Sequence, residues 1–139
     1  MKNHYRKPVL MAFSVAGLAA SALSAQAASV CGGVETSLTH DRKQEYSRLV
    51  ATVVGNRVKP GQVEISKFMQ SGQWSAVYAS TPETDDGVLF FETVNGRPQF
   101  KDVWGGFADP SEKPEVIAWA KKLGAPDDLS RCFADIVTE

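Results

Sequence analysis

The sequence predicts a single α+β domain: an N-terminal helix, a four-stranded antiparallel meander and two C-terminal helices packed on the sheet. Three observations predict it. Apolar residues between positions 41 and 54 recur with a helical period. Four strand-like stretches between Val63 and Trp104 are joined by connections too short for crossovers, so neighbours pair antiparallel. After Gly105-Gly106 the helical period returns twice, and strands grouped between helices indicate α+β rather than alternating α/β.

Thr39 or Asp41 caps the first helix, which ends before Gly55-Asn56. Tyr46, Leu49, Val50, Val53 and Val54 form its apolar stripe, opposite Arg42, Lys43, Glu45 and Arg48. Lys59-Pro60-Gly61 breaks the chain. Strands then run from Val63 to Met69 and from Trp74 to Ala79, around a turn at Ser71-Gly72-Gln73. Thr81 to Gly87 reads as a polar, acidic loop. Val88 to Val94 is the strongest strand, being rich in β-branched and aromatic residues. Asn95-Gly96 is a type I′ hairpin signal, and the return strand covers Gln99 to Trp104.

Gly105-Gly106 ends the sheet, and Asp109-Pro110-Ser111-Glu112 starts a helix near Ser111. Pro114 is tolerated in that first turn, where N–H groups are free anyway. Val116, Ile117, Ala120 and Leu123 make its buried stripe, with Trp119 on the flank. Gly124 stops this helix, Pro126 separates it from the next, and Asp127 or Asp128 caps the last one. There Leu129, Cys132, Phe133 and Ile136 repeat at helical spacing and put the cysteine on the core side. A helix followed by four antiparallel strands resembles the cystatin-type arrangement, in which a sheet wraps a helix. The resemblance is topological only and carries no functional residue across.

Residues 1–27 read as a cleavable signal peptide. Lys2, Arg6 and Lys7 precede an uncharged apolar run from Val9 to Leu23, and Ala25-Gln26-Ala27 fits the small-x-small pattern for cleavage between Ala27 and Ala28. The run is short for a membrane span of ~20 residues. The bulky Val30 before Cys31 is a poor lipidation context, and no twin-arginine pair is present, so ordinary export to the periplasm or medium is expected. Removing 27 of the 139 residues leaves 112, a single domain at 28–139 with 12 basic and 16 acidic residues and a charge of −4. That balance argues against nucleic acid as a partner, which calls for a basic patch. No basic amphipathic helix points to a membrane surface.

Two cysteines in an exported chain allow one intramolecular pairing, Cys31 with Cys132. The bridge ties the N-terminal segment to the last helix, and the chain-entropy model allows it up to ~4.7 kcal/mol. A redox role is disfavoured by the absence of a C-x-x-C.

Asp102 is the candidate site residue of most interest. A two-residue turn at Asn95-Gly96 pairs Val94 with Arg97 and therefore Leu89 with Asp102. Phe100, Asp102 and Trp104 then share one face with Leu89 and Phe91. A carboxylate on an apolar face is costly unless bonded or paired. It is either a ligand-binding or general-base group, or an Asp near the sheet margin bonded to a backbone N–H, an indole or a nearby Arg. Trp74, Tyr78 and Trp104, followed by Gly105-Gly106, could form an aromatic binding surface, with core packing as the plainer reading for Trp74 and Tyr78. Glu83, Asp85 and Asp86 cluster without a calcium-binding spacing. His40-Asp41 at a helix start serves capping more simply than acid–base chemistry. One mature histidine and a bridged cysteine pair leave no zinc set, and no phosphate-binding glycine motif or Gly-x-Ser-x-Gly elbow occurs, so no metal or cofactor is expected.

The thin catalytic inventory points to a non-enzymatic exported binding protein of the inhibitor, immunity or accessory kind, with an envelope or secreted protein as partner. The alternative is a small-molecule-binding module or modest hydrolase with a pocket around Asp102 and Trp104. A structural envelope component is a third reading.

Overall fold

A computed structural model describes residues 30–55 and 57–139. The predicted leader and its Ala27–Ala28 junction lie outside the described residues, as does Asn56. The elements follow the predicted order: α1 (His40–Val54), β1 (Glu64–Ser71), β2 (Trp74–Thr81), β3 (Thr84–Val94), β4 (Arg97–Gly105), α2 (Lys113–Leu123) and α3 (Asp127–Val137), with short 3-10 turns at Pro60–Gln62 and Pro110–Glu112. The strands form one antiparallel meander in the order β1-β2-β3-β4.

The sheet is covered on both faces. Trp74, Ala76, Tyr78, Val88 and Phe90 point toward α2 and α3, where Val116, Leu129 and Phe133 meet them. Val77, Ala79, Leu89 and Phe91 point the other way, toward Tyr46, Val50 and Ala51 of α1. β2 is therefore buried on both sides from Trp74 to Ala79. Small residues alternate there with large ones, so neither face is overfilled.

Thr39 caps α1 by accepting the Arg42 N–H at 3.2 Å, and Gly55 closes it with a positive φ of 108°. The helix is rotated from the predicted stripe. Tyr46, Ser47, Val50 and Ala51 are buried, whereas Val53 is 37% exposed. Ser47 and Ala51 are short enough to let the helix backbone approach the sheet, and the Ser47 hydroxyl donates to the Lys43 carbonyl at 2.6 Å. At the other end of the chain, α3 begins with Asp127 and Asp128 inside its first turn, after Pro126, so neither is the cap expected of it. Both carboxylates still face the positive end of the helix dipole. Asp109 instead caps the preceding 3-10 turn, and its bonds from the Ser111 hydroxyl and N–H hold its carboxyl below the ordinary range.

Two strand boundaries differ from expectation. β3 begins at Thr84, and the predicted acidic loop shrinks to a turn over Pro82 and Glu83. Backbone pairing on both flanks overrides the poor strand propensity of Asp85 and Asp86, whose side chains stay in solvent. The second difference lies in the hairpin. Asn95 and Gly96 take positive φ values of 53° and 77°, and Val94 pairs with Arg97. A bulge then shifts the register: Phe91 pairs with Phe100, Phe90 with Asp102 and Leu89 with Val103. The predicted Leu89–Asp102 pairing and the shared face of Phe100 with Trp104 are thereby corrected. The turn keeps Phe100 against Phe91 on the α1 side as expected, and one extra residue moves Asp102 and Trp104 off the Leu89 and Phe91 face to the α2/α3 side.

The Cys31–Cys132 bridge is formed, with the two Cα atoms 4.5 Å apart across a separation of 101 residues. On the outer edge of β1, Glu35 exchanges backbone hydrogen bonds with Gln70.

A buried polar pair ties α1 to the sheet centre: the Tyr46 hydroxyl lies 2.6 Å from the Ser75 hydroxyl. Burial pushes the Tyr46 phenol up, and the Ser75 bond offsets only part of that. A phenol whose folded value is raised stabilises fully below its unfolded value near ~10 and loses that contribution as pH rises toward the folded one. Tyr46→Phe is expected to cost about 1–2 kcal/mol at pH 8 by stranding the Ser75 hydroxyl. It should also flatten the loss of stability between pH 9 and 11 in urea titrations. Equal alkaline losses in both proteins would refute this account.

Candidate functional site

The end of β4 and the segment after it gather most of the predicted site residues, though not into one pocket. Asp102 is half-buried on the edge strand, and its carboxylate accepts the Val103 N–H at 2.8 Å. It is therefore satisfied without a ligand. Trp104 lies half-buried in an aromatic cluster, 5.3 Å from Trp119 and 6.1 Å from Phe133 between ring centres. Its indole N–H is buried and has no acceptor among the described residues. Trp74 and Tyr78 are each 8% exposed and belong to the core below α2 and α3. Gly124 passes close over Trp74: a Cβ there would come within 3.1 Å of the indole.

Gly105 and Gly106 carry the chain off the sheet. Gly106 has a positive φ of 76°, which a residue with a side chain adopts only under strain, and its N–H donates to the Asp86 carbonyl at 2.9 Å. Two residues later the Ala108 N–H donates to the Val137 carbonyl at 2.8 Å. Between these two anchors stands Phe107, 70% exposed, with its ring 5.8 Å from that of Tyr78. Burial and the nearby Asp86 charge both push the Tyr78 phenol up, so it stays neutral beside Phe107. Sequence reasoning did not single out Phe107. The available signal was an aromatic directly after a Gly-Gly strand end, where nothing of the helical or strand period requires one.

Glu83, Asp85 and Asp86 are exposed on the β2–β3 hairpin. Among the described residues, no group of three or more His, Cys, Asp or Glu is placed to hold a metal ion. His40 is exposed in the first turn of α1.

A cleft of about 400 Å³ opens on the opposite face, between the C-terminal half of α1 and the sheet. Its walls are Val50, Val53 and Val54 from the helix and Leu89 and Val103 from the strands, and Asp85 and Asp86 stand among its polar residues. Its lining does not include Asp102 or Trp104. The cleft exists because the strand ends beneath the helix are lined with small residues: Ala79, Gly87 and Gly105 lie side by side in register across β2, β3 and β4. Glycine is needed at position 87, since a Cβ would meet the Trp104 carbonyl oxygen at 2.8 Å.

Fold and site thus define a class: a disulfide-closed α+β domain with a doubly covered antiparallel sheet and a presented aromatic at one sheet end. Comparison with protein-family models, with curated proteins and with solved structures finds no match.

Proposed function

We propose that the chain is an exported, non-enzymatic binding protein that recognises an envelope or secreted protein through the surface around Phe107. The single observation that carries this reading is the 70% exposure of a phenylalanine held between two backbone hydrogen bonds and backed by Tyr78. Exposed aromatics that are already ordered lose little entropy on docking, and aromatic anchors dominate binding energies. The acidic hairpin beside it adds charge complementarity to a basic partner. Export is supported by the leader pattern and by the disulfide, a bond that persists in oxidising compartments. Among the described residues no helix is long and apolar enough to cross a membrane.

The rival pocket around Asp102 and Trp104 receives less support, because the Asp102 carboxylate already has a backbone partner and the Trp104 ring is wedged against Trp119 and Phe133. A photoreactive residue at position 107 of the exported protein should crosslink to one defined partner in envelope or medium fractions. Phe107→Ala should weaken that complex by about thirty-fold, the effect of a hot-spot residue worth ~2 kcal/mol. Crosslinks spread over many proteins, or an affinity unchanged by the substitution, would dismiss the reading.

A further inference from the structure

We infer that the cleft between α1 and the sheet binds a small cationic amphiphile, an organic ammonium ion with an apolar tail. The cleft opens on the other face of the sheet from Phe107, and the two surfaces share only Asp85 and Asp86 of the hairpin between them. The volume of about 400 Å³ falls at the lower end of the ~300–1,000 Å³ common for ligand pockets. The walls are aliphatic, and two of their residues are left open to solvent: Val53 is 37% and Val103 45% exposed. A helix tail in a filled core would bury such side chains. Here the row Ala79, Gly87 and Gly105 supplies too little volume to reach them.

The charge around the cleft has one sign. Among the described residues, Asp85 and Asp86 are its only ionisable lining residues, and no Lys, Arg or His lines it. The last turn of α1 contains no basic residue, so no side chain there offsets the negative end of the helix dipole. An apolar tail therefore fits against Val53, Leu89 and Val103, and an ammonium group fits at the acidic side. A carboxylate or phosphate headgroup would meet like charge.

The test uses the disulfide-bonded protein and calorimetric titration with n-hexyl-, n-octyl- and n-decylammonium chloride, against octanoate and octanol. Saturable one-to-one binding of the ammonium series is expected, with affinity rising about fourfold per added CH₂ until the cleft is full. Octanoate should bind at least tenfold more weakly than octylammonium. Gly105→Leu should fill the floor, since a Cβ there meets nothing within 4 Å, and should lower octylammonium affinity at least tenfold. Val53→Lys, at an exposed helix position, checks the same site by charge and should weaken octylammonium several-fold more than octanol. D85N/D86N should remove the preference for ammonium over octanol. No saturable binding, equal binding of octanoate, or affinity indifferent to both Gly105→Leu and Val53→Lys would overturn the proposal.

Discussion

Opening the Cys31–Cys132 bridge is expected to lower the unfolding free energy by about 2–5 kcal/mol, one of the two largest single effects in this molecule. The bond joins positions 101 residues apart, so it closes nearly all of the described chain. In the chain-entropy model a loop of that length is worth ~4.7 kcal/mol, and residual structure in the reduced unfolded state brings the measured figure down. Packing contributes separately, because Cys132 is fully buried among the side chains beneath α3. Cys31→Ser separates the two effects: it breaks the crosslink at a half-buried position and leaves Cys132 as a small apolar side chain. Urea unfolding of wild type and Cys31→Ser should show the stability loss together with a larger m-value, as the uncrosslinked unfolded chain exposes more surface. A loss below ~1 kcal/mol would mean that helix packing, not the crosslink, holds the N-terminal segment.

Phe133→Ala is expected to cost about 3–5 kcal/mol. Phe133 is wholly buried, and its ring lies 4.9 Å from Phe90, 5.8 Å from Trp119 and 6.1 Å from Trp104 between centres. Truncation leaves a void that aromatic neighbours, held by the sheet and by α2, cannot collapse to fill. A domain of this size has a total stability of about 5–15 kcal/mol. Either loss is a large fraction of that total, and the two combined, about 5–10 kcal/mol, should leave the protein largely unfolded at 37 °C. Thermal unfolding followed by tryptophan fluorescence checks this directly, because Trp104 and Trp119 report on the same cluster. A loss below ~2 kcal/mol would show that α3 slides in to close the gap.

Much of the fold was legible before any coordinates. The helix beginning after Thr39, the Asn95-Gly96 hairpin, the two C-terminal helices and the cysteine pair rest on local signals: caps, turn chemistry and apolar period. Three features were not legible, each for a physical reason. The bulge in β4 depends on how two twisted strands fit together, and it moved Asp102 opposite Phe90 and Trp104 to the α2/α3 side, away from Phe100. The extension of β3 to Thr84 depends on backbone partners, which hydropathy does not encode. The rotation of α1 toward Ser47 and Ala51 depends on the large side chains that meet it from the sheet, Ile65, Phe68, Leu89 and Phe91 among them.

The candidate surfaces divide in the same way. Trp74, Tyr78 and Trp104 stood out by residue type, yet the first two are core and the third is wedged into an aromatic cluster. Phe107 stands out only by where the chain goes: Gly106 bends, two backbone bonds anchor the segment, and the ring is left in water. The α1 cleft likewise needs Ala79, Gly87 and Gly105 in one row, a fact of register that no linear spacing reveals.

By itself, the sequence determined the class of fold, the element order, the pairing of its cysteines and the sign of its charge, because these follow from local propensity, count and composition. Only the tertiary structure decided that α1 takes one face of the sheet and α2 and α3 the other, which way each β4 side chain points, and that Phe107 is left in solvent. Those outcomes are set by contacts between segments far apart in the chain, where a one-residue shift in register moves a side chain from core to solvent.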